Sequence, residues 1–504
     1  MDKTKIIETK YGKIQGYVEQ GIKIFKGIPY STPPVDNLRF KPPTPPKPWK
    51  NVLNATEFSP ICHQPPTEAE WLFGPPLEQS EANSLTLNIW TPEIDKAKRP
   101  VMFWIHGGNF NFGSSAQQNY DGLPLSIRGN IVVVTINYRL GPLGYLYIPD
   151  KTANVGQLDQ IAALQWVHDN IEIFGSDPNN VTIFGESAGG SAVVTLLAMP
   201  AAKGLFHRVI AQSAYSYNSS DNKEGSDEFT SLLKIKPGDI ESLQKISVDK
   251  ITKTHNNYIM MNAPKGIDNP FTPVIDGKTL LESPLMAIQN GFAKDIPILI
   301  GTNRDEMRFM RAFFPNMPEI NSDELLKRIM NNLSRSGYDE KLAKSLINTY
   351  IKEREGLLPN HPQDVLEAFL TDIGFRIFSI RLAEAQSKHQ KNTYMYLFTW
   401  PSPWMDGKLG SSHAVEIAFA FGTLDKPGTE IYSGKGKDAE TLSKKMMDTW
   451  IAFAHTGNPN NKSIPEWPSY DSNNRSTMIL DKELKITNDP FGEERTAWDK
   501  FNYK

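Results

Sequence analysis

The sequence predicts an α/β protein in which helices cover both faces of a central, mostly parallel, twisted sheet. Residues 101–105 and 131–136 are almost continuously apolar, as expected of central strands that are covered on both sides. Between residues 158 and 174, apolar side chains recur every three or four positions, which predicts an amphipathic helix that Gly175 and Pro178 end. This alternation of buried strands and helices is typical of a doubly wound sheet.

The first fifty residues have a different pattern. Short extended runs at 6–9, 12–16 and 22–25 alternate with turn residues and predict a β meander, followed by a proline-rich connection at 42–46. Residues 64–80 contain four prolines and no clean period, which predicts a long surface loop. This loop carries Trp71 and Phe73 and is placed to border a substrate entrance.

The rest of the chain is predicted to add further strands to the sheet and helical insertions over it. Apolar runs at 209–211, 298–300 and 394–399 predict further strands. More polar, helical segments around 215–290 and 307–390 are interpreted as insertions over one edge of the sheet, and residues 442–454 predict a late amphipathic helix. We therefore expect residues 1–504 to form a single domain with large helical insertions.

Composition excludes several classes of function. The 504 residues carry 54 Lys and Arg against 57 Asp and Glu, a net charge of −3 without long runs of one sign, so nucleic acid and anionic membranes are not expected partners. The only cysteine, Cys62, excludes an intramolecular disulfide and a thiolate metal cluster. Without an apolar leader or a membrane-length apolar run, we expect a cytoplasmic protein that acts on a small molecule, with a monomer favoured.

The candidate nucleophile lies between a predicted strand and a predicted helix. Residues 181–184 form a β-branched and aromatic strand, Gly185-Glu186-Ser187-Ala188-Gly189 follows, and residues 191–199 supply an apolar helix before a proline. A serine with glycine at both second neighbours suits a sharp strand-to-helix turn that lifts its hydroxyl clear of the sheet. Ser187 is therefore the candidate nucleophile, with a Gly/Ser surface turn as the alternative.

Catalysis by serine needs a base and a carboxylate that orients it. His413 follows the strand 394–399 and a Gly/Ser-rich loop, a position from which a base can reach the carboxyl edge of the sheet, although a histidine without a role is an equal alternative. Asp305 and Glu306 both follow the strand 298–300, and periodicity does not choose between them. The alternative is that one of the two pairs with Arg304 or Arg308 at the surface.

The other histidines carry no comparable signal. None forms an i, i+4 pair that would suggest a metal site, so no metal or other cofactor is expected. Their sequence surroundings predict surface or capping positions for five of them: His168, His207, His255, His361 and His389.

Donors for a developing oxyanion should be backbone N–H groups. One is expected from Ala188, directly after the nucleophile, and others from the loop after the strand 101–105, which begins His106-Gly107-Gly108-Asn109. Adjacent glycines allow this backbone to turn its amides toward a reacting carbonyl.

Together these motifs resemble the type-B carboxylesterase family of the α/β-hydrolase fold. The resemblance runs nearly end to end and includes the motifs at 25–30, 39–40, 106–108, 137–141, 158–160, 163–166, 181–191 and 413–422. It implies a catalytic triad of Ser187, Glu306 and His413, and so selects Glu306 over Asp305. It also implies that Gly108, Asn109 and Ala188 donate to the oxyanion, and that Glu186 and Ser213 lie as polar groups around the triad.

Three residues depart from the family pattern. Asn109 replaces the Gly or Ala that is usual as the third residue of the oxyanion loop, so its side chain is expected to narrow the pocket or to add a polar contact. Met307 follows the acid where a small residue is common, and Ser84 replaces a cysteine. None of the three removes a catalytic group, although Asn109 leaves the hydrolysis of bulky and tertiary-alcohol esters open.

The resemblance implies a serine carboxylester hydrolase that acts on small uncharged esters through an acyl-enzyme. Because its base must be neutral, activity is expected to fall on acidification between roughly pH 7 and 6. The alternatives are an amidase or peptidase with the same triad and a non-catalytic binding protein on the same scaffold. A gorge is interpreted as lined by Trp71, Phe73, Phe313, Phe314 and Phe369, with packing as the alternative for each.

Overall fold

The computed structural model describes residues 2–67, 74–217, 222–262, 269–314, 318–334 and 338–501. Most of its strands join one large sheet, and a small separate sheet is made by β2, β3 and β6. The strands are β1 Asp2–Lys3, β2 Ile7–Thr9, β3 Gly12–Gln15, β4 Tyr17–Glu19, β5 Ile22–Pro29, β6 Leu53–Asn54, β7 Thr86–Thr91, β8 Arg99–Ile105, β9 Val132–Ile136, β10 Ser176–Glu186, β11 Arg208–Gln212, β12 Ile298–Asn303, β13 Thr393–Phe398, β14 Ser476–Leu480 and β15 Lys485–Asn488.

The large sheet has the order β1-β4-β5-β7-β9-β8-β10-β11-β12-β13-β14-β15. Neighbours from β9 to β14 pair in parallel, whereas the strands at both edges pair antiparallel. The carboxyl ends of β8, β10, β12 and β13 therefore meet at one edge of the sheet. The predicted α/β class with a mostly parallel sheet is confirmed. The predicted N-terminal strands are present, but they pair as two antiparallel hairpins, β2 with β3 in the small sheet and β4 with β5 in the large one.

The helices follow the predicted alternation. In the described part of the chain, the α-helices are α1 Leu123–Gly129, α2 Gly141–Tyr145, α3 Val155–Asn170, α4 Ala188–Leu196, α5 Lys223–Leu232, α6 Ile240–Gln244, α7 Val248–Asn262, α8 Pro284–Gln289, α9 Met310–Phe313, α10 Ser322–Ser334, α11 Glu340–Arg354, α12 Pro362–Thr371, α13 Ile377–Ser387, α14 Ile417–Phe421, α15 Thr429–Tyr432, α16 Lys437–Thr456 and α17 Gly492–Ala497. None of them is long and apolar enough to span a membrane.

Alternate side chains of the central strands enter two separate cores, as the period of a β-strand requires. On β8, Phe103 packs into the core that also contains α3, α4 and α13, whereas Trp104 packs into the core beneath α1, α14 and α16. Because helices cover both faces, all seven residues of β8 are buried. This explains why the central strands appear in the sequence as continuous apolar runs.

Two predicted boundaries change in the structure. The helix predicted over 158–174 is α3 followed by a 3₁₀ turn, Ile171–Phe174, and it ends at Gly175 with a φ of 79°. Pro178 does not end it, because β10 already begins at Ser176 and accommodates the proline where its register with β8 is irregular. The late helix is confirmed as α16, which is longer than predicted.

The predicted insertions contain α5 to α8 and α9 to α13. The last of these helices, α13, packs against β12 and β13 as a sheet-covering helix. A buried ion pair ties the loop after β9 to α3: Arg139 contacts Asp159 through two side-chain hydrogen bonds of 2.6 and 2.8 Å. Both side chains are at most 5% exposed.

Candidate active site

Ser187 lies at the turn between β10 and α4, as the sequence predicts. Its φ of 58° and ψ of −123° belong to neither element and are strained for a residue with a side chain. The turn is held by a hydrogen bond of 3.0 Å that the Ser187 N–H donates to the carbonyl of Gln212 on β11. The hydroxyl is thereby fixed at the carboxyl edge of the sheet.

The glycines around Ser187 are required by close backbone contacts. A Cβ on Gly189 would lie 2.0 Å from the carbonyl oxygen of Ile105, and one on Gly185 would lie 2.5 Å from the backbone of Gly189. Atoms do not approach so closely, so a side chain at either position would push α4 away from β8 and β10.

Two residues distant in the sequence complete a hydrogen-bonded chain with Ser187. His413 Nε2 lies 2.8 Å from Ser187 Oγ, and His413 Nδ1 lies 2.6 Å from Glu306 Oε2. The other oxygen of Glu306 accepts a hydrogen bond of 2.7 Å from the backbone N–H of Asn303. The nucleophile, base and acid implied by the sequence therefore lie within direct hydrogen-bond reach of one another.

The loop that carries His413 is docked on the segment that carries Glu306. Glu306 begins the 3₁₀ turn Glu306–Phe309 after β12, and its carbonyl accepts a hydrogen bond of 3.2 Å from the His413 N–H. The hydroxyl of Tyr432 donates to the His413 carbonyl. The rings of Phe309 and Phe375 pack against the imidazole, with centroids 5.3 and 5.0 Å away.

Asp305 has a different environment from Glu306. Its carboxylate is 2.9 Å from Arg304 and accepts a hydrogen bond of 2.9 Å from the Ser411 N–H. Burial alone would raise the pKa of Asp305, but Arg304 and Arg308 hold it below its ordinary value. Asp305 is therefore the carboxylate that pairs with arginine, and Glu306 is the one that contacts the histidine.

The site is rich in buried carboxyl groups. Burial alone would lower the pKa of His413, but the carboxylates of Glu186 and Glu306 outweigh it and raise the pKa to about 9. Burial raises the pKa of Glu186 well above its ordinary value, although His413 opposes this shift. The imidazole keeps its proton most firmly when both glutamates are ionised. The loss of activity on acidification is thus expected at higher pH than the range of 7 to 6 expected from an unperturbed imidazole.

Sequence reasoning missed a further buried acid, Glu416. Its carboxylate accepts hydrogen bonds of 3.0 Å from Gln212 and 2.7 Å from Asn303, and burial raises its pKa. The sequence signal that could have identified Glu416 is its position three residues after His413. Ser213 directly follows β11, and its N–H donates a hydrogen bond to the Gly301 carbonyl. Its buried hydroxyl has no hydrogen-bond partner among the described residues.

The carbonyl groups of the loop after β8 are occupied by hydrogen bonds within the protein. Each carbonyl from residue 106 to 110 accepts a hydrogen bond: His106 from the Tyr138 hydroxyl (2.8 Å), Gly107 from His106 Nδ1 (2.8 Å), Gly108 from the Asn111 N–H (2.9 Å), Asn109 from Asn269 Nδ2 (2.9 Å) and Phe110 from the Gly141 N–H (2.7 Å). Within the described residues, the N–H groups of Gly108 and Asn109 donate no hydrogen bond. Ala188 is the first residue of α4, where the N–H has no partner inside the helix. Three backbone donors near Ser187 are therefore left for a ligand.

The side chain of Asn109 makes the polar contact that the sequence allowed. Its Oδ1 accepts a hydrogen bond of 3.0 Å from the hydroxyl of Tyr215, and the residue adopts a φ of 54°. Asn109 is exposed, so this pair lies at the surface of the site. The ring of Tyr215 in turn packs edge-on against Phe375, at 6.0 Å between centroids.

Of the five histidines predicted to be surface or capping residues, one is buried in the structure. His255 is buried, its Nε2 lies 3.1 Å from Asn111 Oδ1, and burial lowers its pKa to about 3. The prediction for His255 is wrong because the polar residues beside it in the sequence lie on the outer face of α7, while the ring itself packs on Gly141 and Phe271. His168, His361 and His389 are exposed and His207 is half-buried.

The predicted aromatic gorge is only partly assembled by the structure. Phe313 packs edge-on against Phe309, which contacts the His413 ring, and Phe314 is exposed. Phe369 is instead a core residue that packs on Trp498. Trp71 and Phe73 lie outside the described residues. In the part of the chain that the structure describes, no group of three or more His, Cys, Asp or Glu side chains is arranged to hold a metal ion.

Comparison with known proteins gives consistent results for sequence and fold. A family model described as the carboxylesterase family matches residues 3–498. The para-nitrobenzyl esterase of Bacillus subtilis (strain 168) is 38% identical over 497 residues, covering 97% of this chain and 98% of its own. Carboxylesterase 1E of Rattus norvegicus is 32% identical over 506 residues, covering 92% and 88%. A solved structure of a thermophilic PNB esterase matches with a TM-score of 0.86 at 36% identity, covering 98% and 99%.

Proposed function

The chain belongs to the carboxylesterase family and is a serine hydrolase of carboxylic esters, and we propose that Ser187, His413 and Glu306 are its catalytic triad. The observation that carries the proposal is the continuous hydrogen-bonded chain from Ser187 Oγ through the imidazole to the Glu306 carboxylate, with links of 2.8 and 2.6 Å. These distances are within the range needed for proton transfer between a nucleophile and its base.

In the acylation step, Ser187 Oγ attacks the ester carbonyl while His413 Nε2 removes the hydroxyl proton. Glu306 accepts a hydrogen bond from Nδ1, which keeps the imidazole in the tautomer with a free Nε2 and stabilises the imidazolium that forms. The proton on Nε2 then passes to the departing alkoxide, and the alcohol leaves an acyl group on Ser187.

In the deacylation step, the same groups act on water. His413 removes a proton from the attacking water, the second tetrahedral intermediate collapses, and the proton returns to Ser187 Oγ. One carboxylic acid and one alcohol are released in each cycle. The enzyme returns to the neutral imidazole with which it began.

The negative charge that develops on the carbonyl oxygen is stabilised by the N–H groups of Gly108, Asn109 and Ala188. Support for this assignment comes from hydrogen bonding: the carbonyl groups of residues 106–110 all accept hydrogen bonds, while these three N–H groups donate none to the described residues. Donors held in position before the reaction cost no reorganisation as the charge forms, and losing one typically reduces the rate about a hundredfold or more.

Small uncharged esters are the substrates that fit these surroundings. The base is flanked by the apolar rings of Phe309 and Phe375, and the nearby acids Glu186, Glu306 and Glu416 disfavour an anionic ligand. A cytoplasmic location is also proposed, because a chain with one cysteine has no intramolecular disulfide, the cross-link that is common in proteins of oxidising compartments and rare in the cytosol. Immunodetection after cell fractionation tests the location.

Hydrolysis of p-nitrophenyl acetate, butyrate and octanoate by the purified protein and by Ser187→Ala tests the triad. We expect turnover by the parent and a loss of at least about a thousandfold in the variant. Ser191→Ala is the matched control, because Ser191 is a buried serine on α4, the helix that follows Ser187, and its hydroxyl contacts the Tyr215 backbone. Retention of activity in Ser187→Ala would overturn the proposal.

Two further measurements separate this function from its alternatives. A fluorophosphonate reagent should add covalently to Ser187, and mass spectrometry of the labelled peptide identifies the residue. Rates on a p-nitrophenyl ester and on the matched anilide distinguish an esterase from an amidase, since we expect the ester to be strongly preferred. Faster turnover of the anilide would favour the amidase alternative.

A further inference from the structure

His106 and Tyr138 form a buried pair behind the oxyanion loop, and neither has a part in the mechanism above. Their rings stack with centroids 4.5 Å apart and an interplanar angle of 25°, and both are at most 1% exposed. The Tyr138 hydroxyl donates to the carbonyl of His106 at 2.8 Å, and His106 Nδ1 lies 2.8 Å from the carbonyl of Gly107. Two successive peptide groups of the loop are therefore held by side chains.

The geometry of the peptide bond gives the second contact a consequence for the site. The Gly107 carbonyl and the Gly108 N–H belong to the same planar group and point in opposite directions. A donor that fixes the carbonyl therefore also fixes the direction of the N–H. The segment needs such a restraint, because Gly107 and Gly108 have no side chains and Gly108 adopts a φ of 110°.

The contact with the Gly107 carbonyl also specifies the state of the imidazole. Nδ1 must carry the hydrogen in order to donate to a carbonyl oxygen, which leaves only a lone pair on Nε2 of the neutral ring. Nε2 is buried and has no hydrogen-bond partner in the described part of the chain, so a second proton there would be an unpaired buried donor. Consistent with this, burial lowers the pKa of His106 to about 4.

The position of the His106 ring is fixed by a close backbone contact. A Cβ on Gly113 would lie 2.6 Å from His106 Nδ1, so the Gly113 backbone closes directly over the imidazole. Gly113 is itself held at both backbone groups by the side-chain amide of Gln64, at 2.8 and 3.0 Å. The donor on Nδ1 is thus confined between the Gly107 carbonyl and the far end of the same loop.

We propose that His106 is a positioning residue for ester hydrolysis: its Nδ1–H fixes the 107–108 peptide group so that the Gly108 N–H is presented to the oxyanion. The inference rests on the proposed function of this loop as the oxyanion hole. It predicts that the essential property of His106 is the hydrogen-bond donor and not the volume of its ring.

Two variants separate the donor from the ring. His106→Asn places an amide nitrogen at the same number of bonds from Cα as Nδ1, so the donor is kept and the ring is lost. His106→Phe keeps a ring that can stack on Tyr138 and removes the donor. The kcat and KM of each variant are measured with p-nitrophenyl butyrate. The fraction of folded protein is determined by circular dichroism and thermal unfolding.

If the proposal is right, His106→Phe lowers kcat about tenfold or more with little change in KM, because the lost interaction is made only as the oxyanion forms. A trifluoromethyl ketone, which adds to the serine to form a tetrahedral alkoxide, should bind more weakly by a similar factor. His106→Asn should keep kcat within about threefold of the parent and bind the ketone normally.

A purely structural role predicts the opposite order, since phenylalanine preserves packing better than asparagine. The proposal is overturned if His106→Asn loses as much kcat as His106→Phe, or if the phenylalanine variant keeps the parent kcat. Should His106→Phe fail to fold, His106→Asn still tests the proposal, because a loss of kcat of about tenfold or more in that variant would overturn it. Loss of turnover in Ser187→Ala is measured in parallel, so failure of the proposed triad is distinguished from failure of this inference.

Discussion

Glu186 Oε1 lies 3.2 Å from His413 Nε2, the same nitrogen that faces the Ser187 hydroxyl. The residue next to the proposed nucleophile therefore places a second carboxyl group beside the proposed base, in addition to Glu306 beside Nδ1. This carboxyl raises the pKa of His413, since an ionised neighbour favours the imidazolium.

The effect of Glu186 on the pKa of His413 should be visible in the pH dependence of kcat/KM. The proposed base, His413, can accept a proton only when it is neutral, and its pKa is raised to about 9. Activity should therefore fall as the pH drops below that value, well above the 6.5 of an ordinary imidazole. In Glu186→Gln the pKa of His413 decreases, so the acid limb should move to lower pH by about one unit or more. The measurement is a pH profile of kcat/KM on a neutral ester.

Glu416→Gln is the matched control for that shift. It removes a buried carboxyl group as well, but one that contributes least to the pKa of His413 and that is bound to Gln212 and Asn303. A smaller displacement of the acid limb is expected. Identical profiles for the parent and Glu186→Gln would show that Glu186 does not influence the base.

The choice between Asp305 and Glu306 can be tested with two substitutions that each remove one charge. Glu306→Gln should lower kcat by about a hundredfold to ten-thousandfold, because the imidazole loses the group that orients it and stabilises its charge. Asp305→Asn should retain kcat within about tenfold and instead lower the melting temperature, since Asp305 pairs with Arg304. The reverse order of activities would assign the acid to Asp305.

Asn109 offers a test of alcohol specificity. Its side chain lies at the surface of the site, held by the Tyr215 hydroxyl at 3.0 Å, and its φ of 54° is readily adopted by glycine. In Asn109→Gly we expect the ratio of kcat/KM for tert-butyl acetate over n-butyl acetate to rise about fivefold or more, because the bulky alcohol gains space. Tyr215→Phe, which removes only the donor, should leave this ratio nearly unchanged. An unaltered ratio in Asn109→Gly would exclude a steric role for the side chain.

The buried pair of Arg139 and Asp159 should be important for stability. Asp159→Ala leaves a guanidinium group almost fully buried without its partner and is expected to lower the free energy of unfolding by about 3–5 kcal/mol. Arg128 and Asp448 form a comparable bidentate pair, but both are about one-third exposed, so Arg128→Ala should cost at most about 1 kcal/mol. Denaturant unfolding of both variants checks the difference, and equal losses would contradict it.

Local patterns predicted much of the architecture. The central strands were visible because both of their faces are buried, and α16 was visible because one of its faces is. Strands β14 and β15 were not predicted: Ser and Thr occupy buried positions of β14, and β15 is a half-exposed edge strand. Neither strand shows a period that distinguishes it from a loop.

The strand-to-helix turn at Ser187 could be predicted from local sequence alone, because the strand residues, the glycines and the helix that make this turn are contiguous. Through family resemblance it also implied which residues would meet there. The folded structure was needed to show that arginine neutralises Asp305 while Glu306 faces His413, that Glu416 is buried nearby and that His255 contacts the loop after β8. Apart from Asp305 and its neighbour Arg304, the groups in these contacts are from about 100 to more than 200 positions apart in the sequence. The long-range contacts therefore depend on how the sheet and its loops pack, whereas local periodicity records only which side of each element is buried.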